Sequence, residues 1–203
     1  MNAEDAAMAV PKQLHDSHNG ASSKTAIGRG ALMNIGFIGV GTMGRVMILR
    51  LMAAGHLVSA WNRSPQALAD LEGVIALTDP ALAFEQEVVI SMLADDRAVR
   101  QVLQSSDALA RGGKGCIHIV MSTLSPALIN ELQASHEQAG IELVAAPMFG
   151  VPAAVAQGEA NILASGAADA IEKIQPLLDV LGKRPGGWAT GLCRPASPRS
   201  PAT

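Results

Sequence analysis

The stretch NIGFIGVGTMGRVMILRLMAAGH, residues 34–56, constrains this chain more than any other. An apolar segment, Asn34–Gly39, runs into three glycines spaced Gly39-x-Gly41-x-x-Gly44, and a helix-periodic segment follows at once. A strand that turns this tightly into a helix needs residues without side chains at the turn. In the helix expected over Met43 to Ala54, the residues Met43, Met47, Ile48, Leu51 and Met52 share one face, as packing on a sheet demands. Gly55 is placed to end that helix in the left-handed conformation, and His56–Trp61 reads as a second strand. His56 is either a functional base or a structural side chain, and its place beside a helix stop favours the second.

The alternation continues. Ser64-Pro65, Asp79-Pro80 and Ser125-Pro126 each put a capping side chain before a proline, the signature of a helix start. Val88–Leu93, Ile117–Met121 and Ile141–Ala145 are short, apolar and rich in β-branched residues, as buried parallel strands are. A last strand is expected at Asn161–Ala164, then a helix over Ala168 to Leu181 with Gly182 as its stop. Strands alternating with capped helices predict an α/β, Rossmann-type, doubly wound and mostly parallel sheet over residues 33–184. Residues 1–32 are polar and aperiodic, and read as a disordered or mis-called extension with Met33 as the natural start. Residues 185–203, rich in Pro, Arg, Ser and Gly, read as a disordered tail with the look of a shifted reading frame.

Composition excludes several functions. The net charge is −3, and three Phe, two Trp and no Tyr leave little to stack on bases, so nucleic-acid binding is not expected. Cys116 and Cys193 lie too far apart for a metal or redox motif; Cys116, in GCIHIVM, reads as a small core residue. No metal is expected, and the default compartment is a reducing, cytoplasmic one. The N-terminus lacks the order of a secretory signal, and the uncharged run 30–44 is too short and glycine-rich to cross a membrane.

A strand, a glycine turn and a helix N-terminus together form a dinucleotide cradle. The first glycine allows the turn, the second lets phosphate approach the backbone, and the third lets helix and strand pack closely. The loop Gly39-Val40-Gly41-Thr42-Met43-Gly44 is therefore the candidate pyrophosphate site, with a nucleotide-free turn as the alternative. NAD-selective sites usually place an acid at the end of the second strand for the ribose 2′-hydroxyl. Here Asn62, Arg63 and Ser64 stand there instead. An acid repels a 2′-phosphate, whereas guanidinium, amide and hydroxyl groups bind it, so NADP (NADPH) is expected over NAD. The alternative is that Arg63 is a solvated surface charge.

These segments, with VVISMLADDRAV, MSTLSP and AAPMFGVPAAVAQGEANILASG, occur in an order that resembles the NADP-binding domain of the β-hydroxyacid dehydrogenase superfamily. That group includes 3-hydroxyisobutyrate and 6-phosphogluconate dehydrogenases and imine-reductase-like relatives. The resemblance implies hydride transfer to or from a hydroxyacid, carbonyl or imine substrate. It also implies that Met92 and Leu93 line the nucleotide groove, and that Ser122 and Thr123 stand near nicotinamide and substrate.

The departures are informative. Where the family's substrate loop often reads Asp-Ala-Pro-Val-Ser-Gly-Gly, this chain has Ala145-Ala146-Pro147-Met148-Phe149-Gly150-Val151. A phenyl ring cannot give the hydrogen bond a hydroxyl gives, so Phe149, expected on the substrate side with Ser122 and Gly150, favours a bulkier or less polar substrate, as in the imine-reductase-like branch. The alternative for Phe149 is a core aromatic. Relatives also carry a catalytic lysine shortly after this domain, in a stretch like Gly-x-Gly-x-x-x-Lys. Lys183 sits too early, at a helix end, and no lysine follows it, so no catalytic residue is assigned. The expectation is a C-terminally truncated oxidoreductase, lacking the family's helical, dimerising domain and inactive as an isolated chain. The alternative is a non-catalytic nucleotide-binding or interaction module.

Overall fold

The computed structural model describes residues 32–104 and 107–183. The expectations for the N-terminal segment and the tail, Cys193 included, fall almost wholly outside those residues. The chain enters β1 (Asn34–Ile38), turns through the glycines into α1 (Thr42–Ala53), and returns as β2 (Leu57–Trp61). A 3-10 turn, Pro65–Leu68, leads to the two-residue β3 (Ile75–Ala76), and a second one, Pro80–Glu85, to β4 (Val88–Ser91). Then come α2 (Asp96–Leu103), α3 (Ala108–Arg111), β5 (Ile117–Val120), α4 (Pro126–Ala139) and β6 (Glu142–Ala145).

These six strands form one parallel sheet in the order β3-β2-β1-β4-β5-β6. The order reverses between β1 and β4. In such sheets the crevice beyond the carboxyl ends of the strands at that point is where ligands bind. The remaining chain is β7 (Met148–Phe149), α5 (Pro152–Gln157), β8 (Ala160–Ile162), α6 (Ala168–Leu181) and β9 (Gly182–Lys183). The last expected strand thus belongs to a separate sheet, β7-β8-β9, with β7 and β8 antiparallel.

Alternation along each buried strand feeds two cores. Ile35, Phe37, Val88, Ile90, Ile117 and Ile119 pack toward α1 and α6, while Ile38, Val89 and Val120 pack with Phe84, Leu128 and Leu132 on the other face. Gly36 is glycine for the second packing: a Cβ there would lie 2.2 Å from the Ala83 carbonyl oxygen. Helix α1 buries Gly44, Met47, Ile48 and Leu51, with Met43 and Met52 half-buried beside them, as its periodicity implies. Gly55 ends it at φ 96°. The Arg50 guanidinium reaches from α1 to the carbonyls of Val180 (2.8 and 3.0 Å) and Ala156 (3.0 Å), joining the two sheets' layers.

Two local expectations change. Asp79 and Ser125 cap as expected, accepting N–H bonds from Ala81 and Leu128. Ser64 does not: its segment makes a 3-10 turn rather than an α-helix, and its side chain forms no cap bond. Lys183 stands in β9 rather than loose at a helix end, and its Nζ pairs with Glu159 at 2.6 Å. Among the described residues, no helix is long and apolar enough to cross a membrane.

Candidate functional site: the glycine-loop groove

The loop after β1 is shaped by two forbidden approaches and one open one. A Cβ on Gly39, whose φ is 100°, would lie 2.3 Å from the Met92 carbonyl oxygen. A Cβ on Gly44 would lie 2.1 Å from the Gly39 carbonyl oxygen. Those two glycines let the β1 and β4 loops and the helix close on one another. Gly41 differs, because a Cβ there meets nothing within 4 Å. Its side points to open space over the start of α1, where the backbone can meet a ligand.

The α1 N-terminus is also unfilled from within. Gly41 is its N-cap, no side chain caps it, and its first turn holds no acid. By contrast Asp95 and Ser125 close the starts of α2 and α4 with their own side chains. Free N–H groups and the positive end of a twelve-residue helix suit an anion. The residues therefore fit a dinucleotide pyrophosphate.

Asn62, Arg63 and Ser64 follow β2 directly. Asn62 is committed to holding the loop: its Oδ1 accepts the Val40 N–H at 2.9 Å, and its Nδ2 donates to the Ser64 carbonyl at 3.0 Å. Arg63 and Ser64 are exposed, and among the described residues neither side chain makes an ion pair or hydrogen bond. Arg45, on the first turns of α1, reaches the carbonyls of Asp70 (3.3 Å) and Ala67 (3.5 Å), fixing the segment that follows.

The rim continues along the strand ends. The Met92 N–H donates to Ile38 O at 2.9 Å, and the Leu93 N–H donates to Ser122 Oγ at 2.8 Å. Ser122 is buried and Thr123 exposed. Met148 N–H donates to Met121 O at 3.3 Å, so β7, with Phe149 and then Gly150, starts beside the Ser122 loop. Phe149 is 46% exposed, which removes the core-aromatic alternative. The expected nucleotide-side residues therefore lie at the carboxyl ends of β1, β2, β4 and β5, whereas Phe149 and Gly150 lie in and just after β7 of the small sheet.

Three features escape a sequence reading. Asn62 braces the glycine loop through the Val40 N–H. Asp96 bonds Ser125 of α4 through both carboxylate oxygens, which hold its pKa below the usual carboxylate value. Behind β4 and β5, Ser91, His118 and His136 form a buried polar chain. Two neighbouring acidic residues in ADDRAV hint at the second; nothing in the apolar run IHIV hints at the third.

Other concavities lie away from this rim. A cleft of about 520 Å³ opens at the opposite ends of β4 and β5, lined by Glu85, Glu87, Lys114, Cys116 and Lys173 among others. Burial pushes the Cys116 thiol up to about 11, as expected of a core residue and not of a nucleophile.

Comparison with known proteins agrees with this geometry. An uncharacterized oxidoreductase of Bacillus subtilis, YfjR, is 38% identical over 156 residues, covering 75% of this chain and 54% of the relative. The structure of Mycobacterium tuberculosis 3-hydroxyisobutyrate dehydrogenase with L-serine superposes with a TM-score of 0.71 at 27% identity, over 76% of this chain and 54% of that one. An imine reductase from Pseudomonas sp. gives a TM-score of 0.71 at 26% identity, over 76% and 55%. The chain spans about half the length of the curated relatives it matches. Residues 34–191 match the family model described as the NAD binding domain of 6-phosphogluconate dehydrogenase. With the glycine loop, the uncapped α1 and the 3-2-1-4-5-6 sheet already in place, the chain belongs to that family and is a pyridine-nucleotide-binding domain of the 3-hydroxyisobutyrate dehydrogenase and imine reductase type.

Proposed function

We propose that this chain is the NADP(H)-binding domain of an oxidoreductase that moves hydride to or from a carbonyl, hydroxyacid or imine substrate. The observation that carries NADP over NAD is the end of β2, where exposed Arg63 and Ser64 stand and no acid is present. A guanidinium and a hydroxyl there bind a 2′-phosphate that a carboxylate would repel. The Gly41 opening and the α1 N-terminus take the pyrophosphate, and Met92 and Leu93 wall the groove. Ser122 and Thr123 stand at the β5 end, with Phe149 and Gly150 beyond them as the substrate side. When bound, the nicotinamide supplies or accepts the hydride.

Titration of the chain with NADPH and NADH tests this. NADPH is expected to bind more tightly, and Arg63→Ala to cost it roughly tenfold or more, the scale of one charged hydrogen bond. An unchanged NADPH/NADH preference would overturn the assignment of Arg63. No turnover by the chain alone is expected, because Lys183, the last lysine of the sequence, is paired with Glu159 at 2.6 Å; robust NADPH-dependent turnover by the chain alone would overturn that. Exposed Phe149, Val151 and Leu163 favour the second reading, an interaction module, which failure to bind either nucleotide would support.

A further inference from the structure

The loops after β4 and β5 run side by side over the groove, and more joins them than their strands. Ser122 Oγ accepts the Leu93 N–H at 2.8 Å. Three residues further along each loop, Asp96 accepts both the Ser125 N–H, at 3.1 Å, and the Ser125 hydroxyl. Asp96 is not needed at its own helix, because Asp95 already caps α2 through Ala98 N at 2.7 Å. Its two oxygens turn instead to the N-cap of α4. There the Ser125 oxygen accepts Leu128 N–H at 3.2 Å while its hydroxyl hydrogen goes to Asp96, so the carboxylate fixes which way the cap points.

We propose that Asp96 is a positioning residue for the groove: through Ser125 it holds the loop carrying Ser122 and Thr123 in register with the loop carrying Met92 and Leu93. The inference rests on the groove being the nucleotide site. The charged groups beside Asp96 are Asp95, Arg97 and Arg100 on its cap and helix, of which Arg100 acts on it electrostatically. Arg100 is already held by Glu131 in a two-pronged pair at 2.8 to 3.1 Å, and Arg111 of α3 is held by Asp79 at 2.7 Å. Neither compensates a lost carboxylate. The Arg100–Glu131 pair also joins α2 to α4, but one helical turn away from the loops, and so provides a control.

Asp96→Asn and Glu131→Gln are compared in the full chain by amide hydrogen exchange and by NADPH and NADH titration. Asp96→Asn is expected to speed exchange at Leu93 at least fivefold while the central-strand amide of Ile119 stays at its wild-type rate. It should weaken NADPH and NADH by a similar factor of about five, leaving their ratio unchanged. Glu131→Gln should move neither readout. Wild-type exchange at Leu93 and wild-type affinities in Asp96→Asn would overturn the proposal, as would Leu93 and Ile119 rising together, the mark of a merely structural role. If the wild-type chain binds neither nucleotide, the nucleotide reading fails, and the exchange comparison still decides whether Asp96 sets the loops.

Discussion

The Asn62 side chain accepts the Val40 N–H at 2.9 Å across 22 residues of sequence, tying the tip of the glycine loop to the end of β2. The same amide donates to Ser64 O. One side chain therefore sets both the glycine loop and the segment that presents Arg63. Asn62→Ala should lower stability by about 1 kcal/mol, the net worth of a part-buried hydrogen bond. It should also weaken NADPH and NADH alike, unlike Arg63→Ala, which acts on NADPH alone. Paired titrations of the two variants check this.

The three glycines should behave as two classes. Gly39→Ala and Gly44→Ala drive a Cβ to within 2.3 and 2.1 Å of backbone oxygens that cannot step aside, and Gly39 also needs its positive φ. Each should cost stability by roughly 1–3 kcal/mol or more, as overpacking does. Gly41 has φ −80° and ψ −171°, which alanine adopts freely, and open space at its Cβ. Gly41→Ala should fold with wild-type stability yet bind nucleotide at least tenfold more weakly. Thermal melts and titrations of the three variants separate the classes. A Gly41→Ala chain that binds normally would remove the phosphate from that loop.

What sequence carried and what it did not divides by distance along the chain. The Ser125 cap, the Gly55 stop and the α1 face are set by residues within a turn or two of one another, so propensity and period reveal them. The groove was legible because its backbone shape needs glycine at fixed spacing. Asp96 and Ser125, 29 residues apart, or Arg50 and Val180, 130 apart, meet only after the sheet has formed, and their residue types are ordinary surface types. Ser64 misled because serine before proline suits a 3-10 turn as well as an α-helix. Lys183 misled in the same way: the small sheet that takes it up exists only once β8 lies beside it.

The buried chain behind the groove makes stability depend on pH. His136 Nδ1 faces the Leu132 carbonyl at 2.6 Å and must carry a proton, which leaves Nε2 as acceptor. His118 Nδ1 then donates to it at 2.7 Å, and the remaining His118 Nε2 accepts the Ser91 hydroxyl at 2.9 Å. Both rings are fully enclosed and neutral. Burial lowers His136 to about 4 and His118 well below its ordinary value. The unfolded chain therefore binds more protons below pH 6.5, and stability should be complete above that pH and fall steadily toward pH 4. The carboxylates Asp79 and Asp96, also depressed, act only below their ordinary value near 3.8. Denaturant midpoints from pH 8 to 4 check the slope. His136→Ala should flatten it and lower stability at pH 8 by about 1–3 kcal/mol, because the His118 N–H loses its buried acceptor. His118 and His56, both lowered by burial, keep part of the slope.

Among the described residues, the small sheet leaves one apolar face uncovered. Pairing of Met148 with Ile162 turns those two inward, at 6% and 1% exposure, so the neighbouring Phe149 points outward. Leu163, whose N–H donates to Pro147 O, and Val151 after β7 are also exposed, at 53% and 63%. Apolar side chains gathered on one face favour association, whereas scattered ones such as Leu57, 65% exposed at the start of β2, do not. Phe149→Ser with Leu163→Ser should therefore reduce concentration-dependent self-association in sedimentation while changing stability by no more than about 0.5 kcal/mol, since neither side chain is in a core. Leu57→Ser should leave association as it was. Equal association in the double variant and the wild-type chain would mean that this face is not what draws two copies together.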